Sequence, residues 1–178
     1  MLLFHKYYYN RSIADGYTLK LIREGISTTY RKRMQEALES IEMLKGSLQK
    51  KDMYAHPAYV TPLVEYITDD FRKSRIAIND DTIGGMIVCD SSDQAKVVFE
   101  KMQNTGFSSA LILHDVDDKE TRQGYVTAFK KGAIDFLIVY NMLLTGFDAP
   151  RLKKLYLGRV IKDHNLLQAL KKNSFPNV

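Results

Sequence analysis

The run Ile134-Asp135-Phe136-Leu137-Ile138-Val139-Tyr140 leads directly into Asn141-Met142-Leu143-Leu144-Thr145-Gly146-Phe147-Asp148-Ala149-Pro150. The first seven residues are apolar almost throughout, as in a strand of a parallel sheet that is covered on both faces. The next ten contain a glycine, an acid and a proline, which makes them a loop at the carboxyl end of that strand. In open α/β sheets ligands bind along that edge. A plain connection in which Gly146 and Pro150 only turn the chain explains the spacing equally well. The flanking sequence has to decide.

Upstream, Gly85-Met86-Ile87-Val88-Cys89 reads as a short buried strand. Ser91-Ser92-Asp93-Gln94 then has the form of a capping box, with Ser91 as N-cap and Gln94 three residues on. The helix it opens buries Ala95, Val98, Phe99 and Met102 and stops at Thr105-Gly106. Ala110 to His114 is the next strand. The acidic loop Asp115-Val116-Asp117-Asp118 leads into a helix through Tyr125, Val126 and Phe129 that ends at Gly132. Downstream, Lys154-Leu155-Tyr156-Leu157 is a short strand, and Asp163 caps a last helix carrying Leu166, Leu167 and Leu170. This alternation predicts a parallel sheet with helices on both faces. Right-handed crossovers bring residues 90–92, 115–118 and 145–148 to one rim.

The first 82 residues have a different character. Tyr7, Tyr8, Tyr9, Tyr17 and Tyr30 crowd the start, and a strand over Tyr17–Ile22 follows the turn at Asp15-Gly16. Tyrosines in a row can stack on bases, though packing in a β extension is the commoner fate. Met34, Leu38, Ile41, Leu44 and Leu48 predict an amphipathic helix over about Arg31–Lys51. A second helix is expected to open at Thr61 with Pro62 in its first position, turning Leu63, Tyr66, Ile67 and Asp70-Phe71 inward. Asn79-Asp80-Asp81 breaks the pattern. The expected division is a linking segment with a mixed strand and helical extension over 1–82, and a sheet domain over 83–178.

Chemistry is bounded by what the chain carries. One cysteine, Cys89, excludes a disulfide framework, and its apolar neighbours predict a buried core thiol. His5, His56, His114 and His164 never fall at paired ligand spacing, so no metal site is expected. No apolar run reaches a membrane span, and the start lacks a signal peptide's apolar region; a cytoplasmic setting follows as the expectation. The net charge is +5, and residues 151–172 alone supply +6, from seven basic residues against Asp163. Such a cluster beside a ligand-binding edge suits a polyanion; a solvated basic face accounts for it equally well. A capped helix start at Ser91 and Ser92 can hold a phosphate, although ordinary capping also explains the serines. Gly146 permits close approach of a ligand, and Asp148 can accept hydrogen bonds from ribose hydroxyls. Neither Gly-x-x-x-x-Gly-Lys-Ser/Thr nor Gly-x-Gly-x-x-Gly occurs.

The order Leu143-Leu144-Thr145-Gly146-Phe147-Asp148-Ala149-Pro150 resembles helicase motif V in the R (restriction and motor) subunit of type I restriction enzymes. Gly85 through Ala95 looks like that family's motif IV. His5-Lys6-Tyr7-Tyr8-Tyr9 through Ile13-Ala14-Asp15-Gly16-Tyr17-Thr18 is similar to the segment joining its two motor domains. The resemblance implies the second of two RecA-like domains, a three-layer α/β fold with motifs IV, V and a truncated VI. It places Gly146, Asp148 and Gln168, the glutamine opening motif VI, at the ATP site and domain interface. It places Thr145, Ser91 and Ser92 near the DNA backbone, and the adjoining basic residues Arg151, Lys153 and Lys154 join that expected DNA surface. ATP and Mg²⁺ would act in the complete enzyme, with duplex DNA, the first RecA-like domain of the same subunit, and the modification and specificity subunits as partners in a bacterial cytoplasm.

Departures from the family pattern bear on activity. Where the family continues Thr-Arg-Val-Asn-Arg after Gln-Ala-Leu, this chain reads Lys171-Lys172-Asn173-Ser174-Phe175. Lys172 and Phe175 stand in the places of the two arginines. A lysine cannot reproduce a guanidinium fork, and a phenylalanine brings no charge. The resemblance therefore implies a fragment of a type I site-specific deoxyribonuclease that binds no ATP or Mg²⁺ by itself and is inactive alone. The alternatives are a free-standing nucleic-acid-binding α/β module without ATPase activity, and a flavodoxin-like small-ligand domain.

Overall fold

A computed structural model describes residues 26–45, 49–113, 117–140 and 149–159. Three helices come first: α1 (Thr28–Lys45), α2 (Lys50–Ala55) and α3 (Pro57–Ile78). They are followed by β1 (Gly84–Cys89), α4 (Ser92–Met102), β2 (Ser109–Leu113), α5 (Lys119–Lys130), β3 (Phe136–Tyr140) and β4 (Leu152–Leu157). The four strands are parallel in the order β2-β3-β1-β4. Ile87 lies beside Ile138 on one side and Tyr156 on the other. This is the α/β parallel-sheet architecture that the alternation of elements predicts, and it agrees with the RecA-like fold that the resemblance implies.

Side chains alternate across the sheet and divide the core in two. Ile87, Cys89, Leu113, Phe136, Ile138 and Tyr156 face α1, α3 and α4. Met86, Ala110, Ile112, Leu137 and Val139 face the other way, against Phe129 of α5. Phe71 of α3 packs at a tilt against Phe136, 4.4 Å between ring centroids, and Phe107 closes the group at 5.3 Å from Phe71. Each fully buried ring contributes roughly 1.5–3 kcal/mol relative to exposure. The helices before residue 82 and the strands after it thus share one core.

Asn79-Asp80-Asp81 is a turn, with Asn79 in the left-handed region at φ 53° and its N–H bonded to Ile76 O. Among the described residues, the helices ahead of it pack as a layer on the sheet. Thr61 does not open the second helix. His56 is the N-cap, its Nδ1 accepting from Ala58 N, and Pro57 takes the first position. Pro62 lies inside the helix and is buried, while Thr61 Oγ1 donates to Pro57 O. The first helix ends at Lys45, and a separate short α2 follows. Leu44, expected inside, is exposed, because it lies about a quarter turn from the Met34–Leu38–Ile41 line at 3.6 residues per turn. The expected strand over residues 17–22, the tyrosines at 7–9 and 17, Leu48 and the helix after Asp163 lie outside the described residues.

Candidate functional site

Parallel strands put the ends of β1 and β4 at one edge, where α4 begins. Ser91 is the N-cap of α4, its Oγ accepting from Gln94 N at 3.0 Å. Half of the expected capping box is therefore present. The other half differs. Gln94 is fully buried, and its Oε1 accepts from Asp90 N at 2.6 Å, one residue ahead of the cap. Its Nε2 donates to Gly158 O just past the end of β4, and Gly158 N donates to Val88 O at 2.8 Å. A Cβ at position 158 would stand 2.7 Å from Gln94 Oε1, so a larger residue there would have to displace the amide. One buried amide thus joins the exits of two neighbouring strands.

The next residue out is Arg159, whose Nη1 donates to Asp90 Oδ1 at 2.7 Å. Its side chain is 46% exposed against 16% for Asp90. Tyr54 of α2 stands beside the pair: burial chiefly raises its phenol pKa, Asp90 adds to the rise and Arg159 opposes it. Further along the edge Asp117 Oδ2 accepts from Leu113 N at 2.7 Å, and Asp118 caps α5 by accepting from Thr121 N. Cys89 faces the core, and burial pushes its thiol far above the ordinary range. It packs rather than reacts.

The expected site residues separate. Ser91 and Ser92 stand at this edge, both half-buried. Thr145, Gly146, Asp148 and Gln168 lie outside the described residues. The basic run is contiguous in sequence but split in space, because β4 runs through it. Arg151 is at the opposite, amino edge. Its Nε donates to Thr82 O at 2.8 Å and its Nη1 to Phe129 O and Ile134 O, with the guanidinium 4.7 Å from the Phe129 ring centre. Lys154 points beneath α3, only 15% exposed, with Nζ 3.2 Å from Asp70 Oδ2, which also accepts from Tyr156 Oη. Lys153 is exposed near Asp80. Of the run's described cations, Arg159 is the one at the carboxyl edge. Gln94 was legible in sequence as a capping residue, but its reach to Gly158 was not.

Among the described residues no group of acids, histidines and cysteines is placed to hold a metal, and no helix there is long and apolar enough to cross a membrane.

Residues 24–174 match the family T1R_D3-like, described as type I restriction enzyme subunit R domain 3. The chain belongs to that family. It is 58% identical over 40 residues to a putative type I restriction enzyme endonuclease subunit, MjaVIIP, of Methanocaldococcus jannaschii, a stretch covering 22% of this chain and 4% of the relative. It is 56% identical over 36 residues to the type I restriction enzyme endonuclease subunit SsaAORF53P of Staphylococcus saprophyticus, or 20% of this chain and 4% of that one. The matched stretches thus span a small fraction of these relatives' length. In fold, the Pyrococcus furiosus Hef helicase domain matches 81% of this chain and 33% of its own, with a TM-score of 0.50 at 9% identity.

Proposed function

We propose that this chain is the second RecA-like motor domain of an ATP-dependent, DNA-translocating R subunit of a type I restriction endonuclease. The observation that carries the reading is the family match over residues 24–174, on a parallel sheet whose β1–α4 loop lies at the ligand-binding edge. ATP and Mg²⁺ would sit between this domain and a first RecA-like domain. This chain would supply Gly146, Asp148 and Gln168, whose backbone, carboxylate and amide suit hydrogen bonds to a nucleotide and across a domain interface. Ser91, Ser92 and Thr145 would meet the backbone of duplex DNA. Arg151 and Lys154 are left out of the DNA surface because their charged ends are committed elsewhere.

Relative movement of the two domains on ATP turnover would then drive the DNA, within a bacterial cytoplasmic complex that also holds modification and specificity subunits. Lys172 and Phe175 stand where arginines would stabilise charge on the transferring phosphoryl group, a contribution on the order of 10³–10⁵ in rate. Turnover by this chain alone is therefore not expected. The test is a pair of assays on the purified chain. Weak duplex binding that falls steeply with salt, without DNA-stimulated ATP hydrolysis, is the expected result. Tight, salt-independent binding to one sequence would favour a free-standing module instead, and clear ATP turnover would overturn the inactive assignment.

A further inference from the structure

Arg159 is held in place by its backbone, and its half-exposed side chain pairs with Asp90. The Gly158-Arg159 junction is fixed twice, by Gly158 N to Val88 O and by Gln94 Nε2 to Gly158 O. Gln94 also grips Asp90 N, so the acid and the arginine are set by the same buried amide. Their ion pair is asymmetric: Asp90 is mostly covered, while nearly half of the Arg159 side chain faces solvent. A pair with one partner this open to solvent contributes modestly to stability. A guanidinium with one bonded acid among the described residues, prepositioned at the rim beside Ser91 and Ser92, is by contrast well suited to a phosphate oxyanion.

We propose that Arg159 binds a backbone phosphate of duplex DNA and that Asp90 is the counter-ion this phosphate displaces. The inference rests on the motor-domain reading and adds to it a residue and its control. Asp90 occupies the guanidinium while DNA is absent and so weakens the site. Arg159 therefore raises affinity, whereas Asp90 lowers it. A purely structural ion pair has no such opposition of sign.

The experiment measures binding of the 178-residue chain to a 20-base-pair duplex by fluorescence anisotropy over a range of salt, with ATP titrated separately. Arg159→Gln should weaken duplex binding about five- to tenfold near 0.1 M salt and lower the slope of log affinity against log salt by about one. Arg159→Lys should recover part of the affinity. Asp90→Asn keeps the acceptor oxygen and should bind the duplex about two- to fivefold more tightly. Thermal melts of each variant identify any loss that comes from unfolding, and the gain expected of Asp90→Asn cannot arise that way. Equal duplex binding by the parent chain and all variants overturns the role of Arg159 while leaving the motor reading intact. Changes confined to ATP binding overturn the assignment to DNA. A parent chain that does not bind duplex DNA at low salt counts against the motor reading itself, and the Arg159 role falls with it.

Discussion

At the amino edge of the sheet, Arg151 reaches three carbonyls, those of Thr82 and Ile134 in loops and of Phe129 in the last turn of α5, while Arg75 pairs with Asp135 and donates to Ile83 O. At the carboxyl edge, a single buried glutamine and a half-exposed ion pair hold β1 to β4. Both edges are polar and both contain arginines. At the first, the described guanidiniums are turned inward and bonded to the fold. Asp135 also accepts from the N–H and hydroxyl of Ser108, although the buried Arg75 Nε has no hydrogen-bond partner among the described residues. At the second, the ties fix the backbone and leave side chains facing outward. The contrast separates a cation that holds loops together from one that is available to a ligand, and sequence charge alone does not make that distinction.

The largest effect expected from breaking this contrast is at Arg151. Arg151→Met keeps the stem over Phe129 but removes the donors to three carbonyls, and should cost about 3–4 kcal/mol. In a thermal melt this is a fall of roughly ten degrees. An unchanged melting point would show that the amino edge does not depend on this fork.

Next comes Asp135. Burial is the largest single influence on its carboxyl and pushes the pKa upward, but the hydrogen bonds from Arg75 and Ser108 outweigh it and leave the net value below the ordinary 3.8. A carboxylate depressed on folding adds stability above its unfolded pKa and loses it as pH falls through the folded value. Asp135→Asn should therefore destabilise the protein near neutrality and flatten the loss of stability on acidification below about pH 4. Parallel acid-unfolding curves for parent and variant would contradict this linkage.

The carboxyl edge should respond more mildly. Gly158→Ala brings a methyl group against Gln94 Oε1, at a cost of about 1–3 kcal/mol. Gln94→Ala leaves the Asp90 N–H and Gly158 carbonyl without this partner, at about 1–3 kcal/mol. Since the first clash needs the Gln94 side chain, the double variant should cost less than the sum of the two. Strict additivity in a denaturant series would show that the two residues do not meet.

The fold was legible because its signals are periodic. Val88, Ile138 and their neighbours read as buried strands, and Ser91 marks a helix start through local chemistry that spacing reveals. The second helix was misplaced because Thr61-Pro62 imitates a start signal, while the actual one, His56-Pro57, uses an uncommon cap. Separation of the basic run was not legible. Arg151 and Arg159 are eight residues apart, yet a six-residue strand lies between them and carries them to opposite edges, about 20 Å apart at 3.3 Å per residue. Lys154 read as a surface cation because its partner, Asp70, comes from α3, 84 residues earlier in the chain. Contacts of that range leave no local pattern.

The central proposal is that this domain completes a nucleotide site with a second domain. The most direct measurement is its association with a separately prepared first RecA-like domain of a type I R subunit, followed by sedimentation with and without Mg²⁺ and a non-hydrolysable ATP analogue. A motor domain of this kind should associate more tightly when the nucleotide is present, and Asp148→Ala should remove the gain. No association, or association indifferent to both the nucleotide and Asp148, would contradict it.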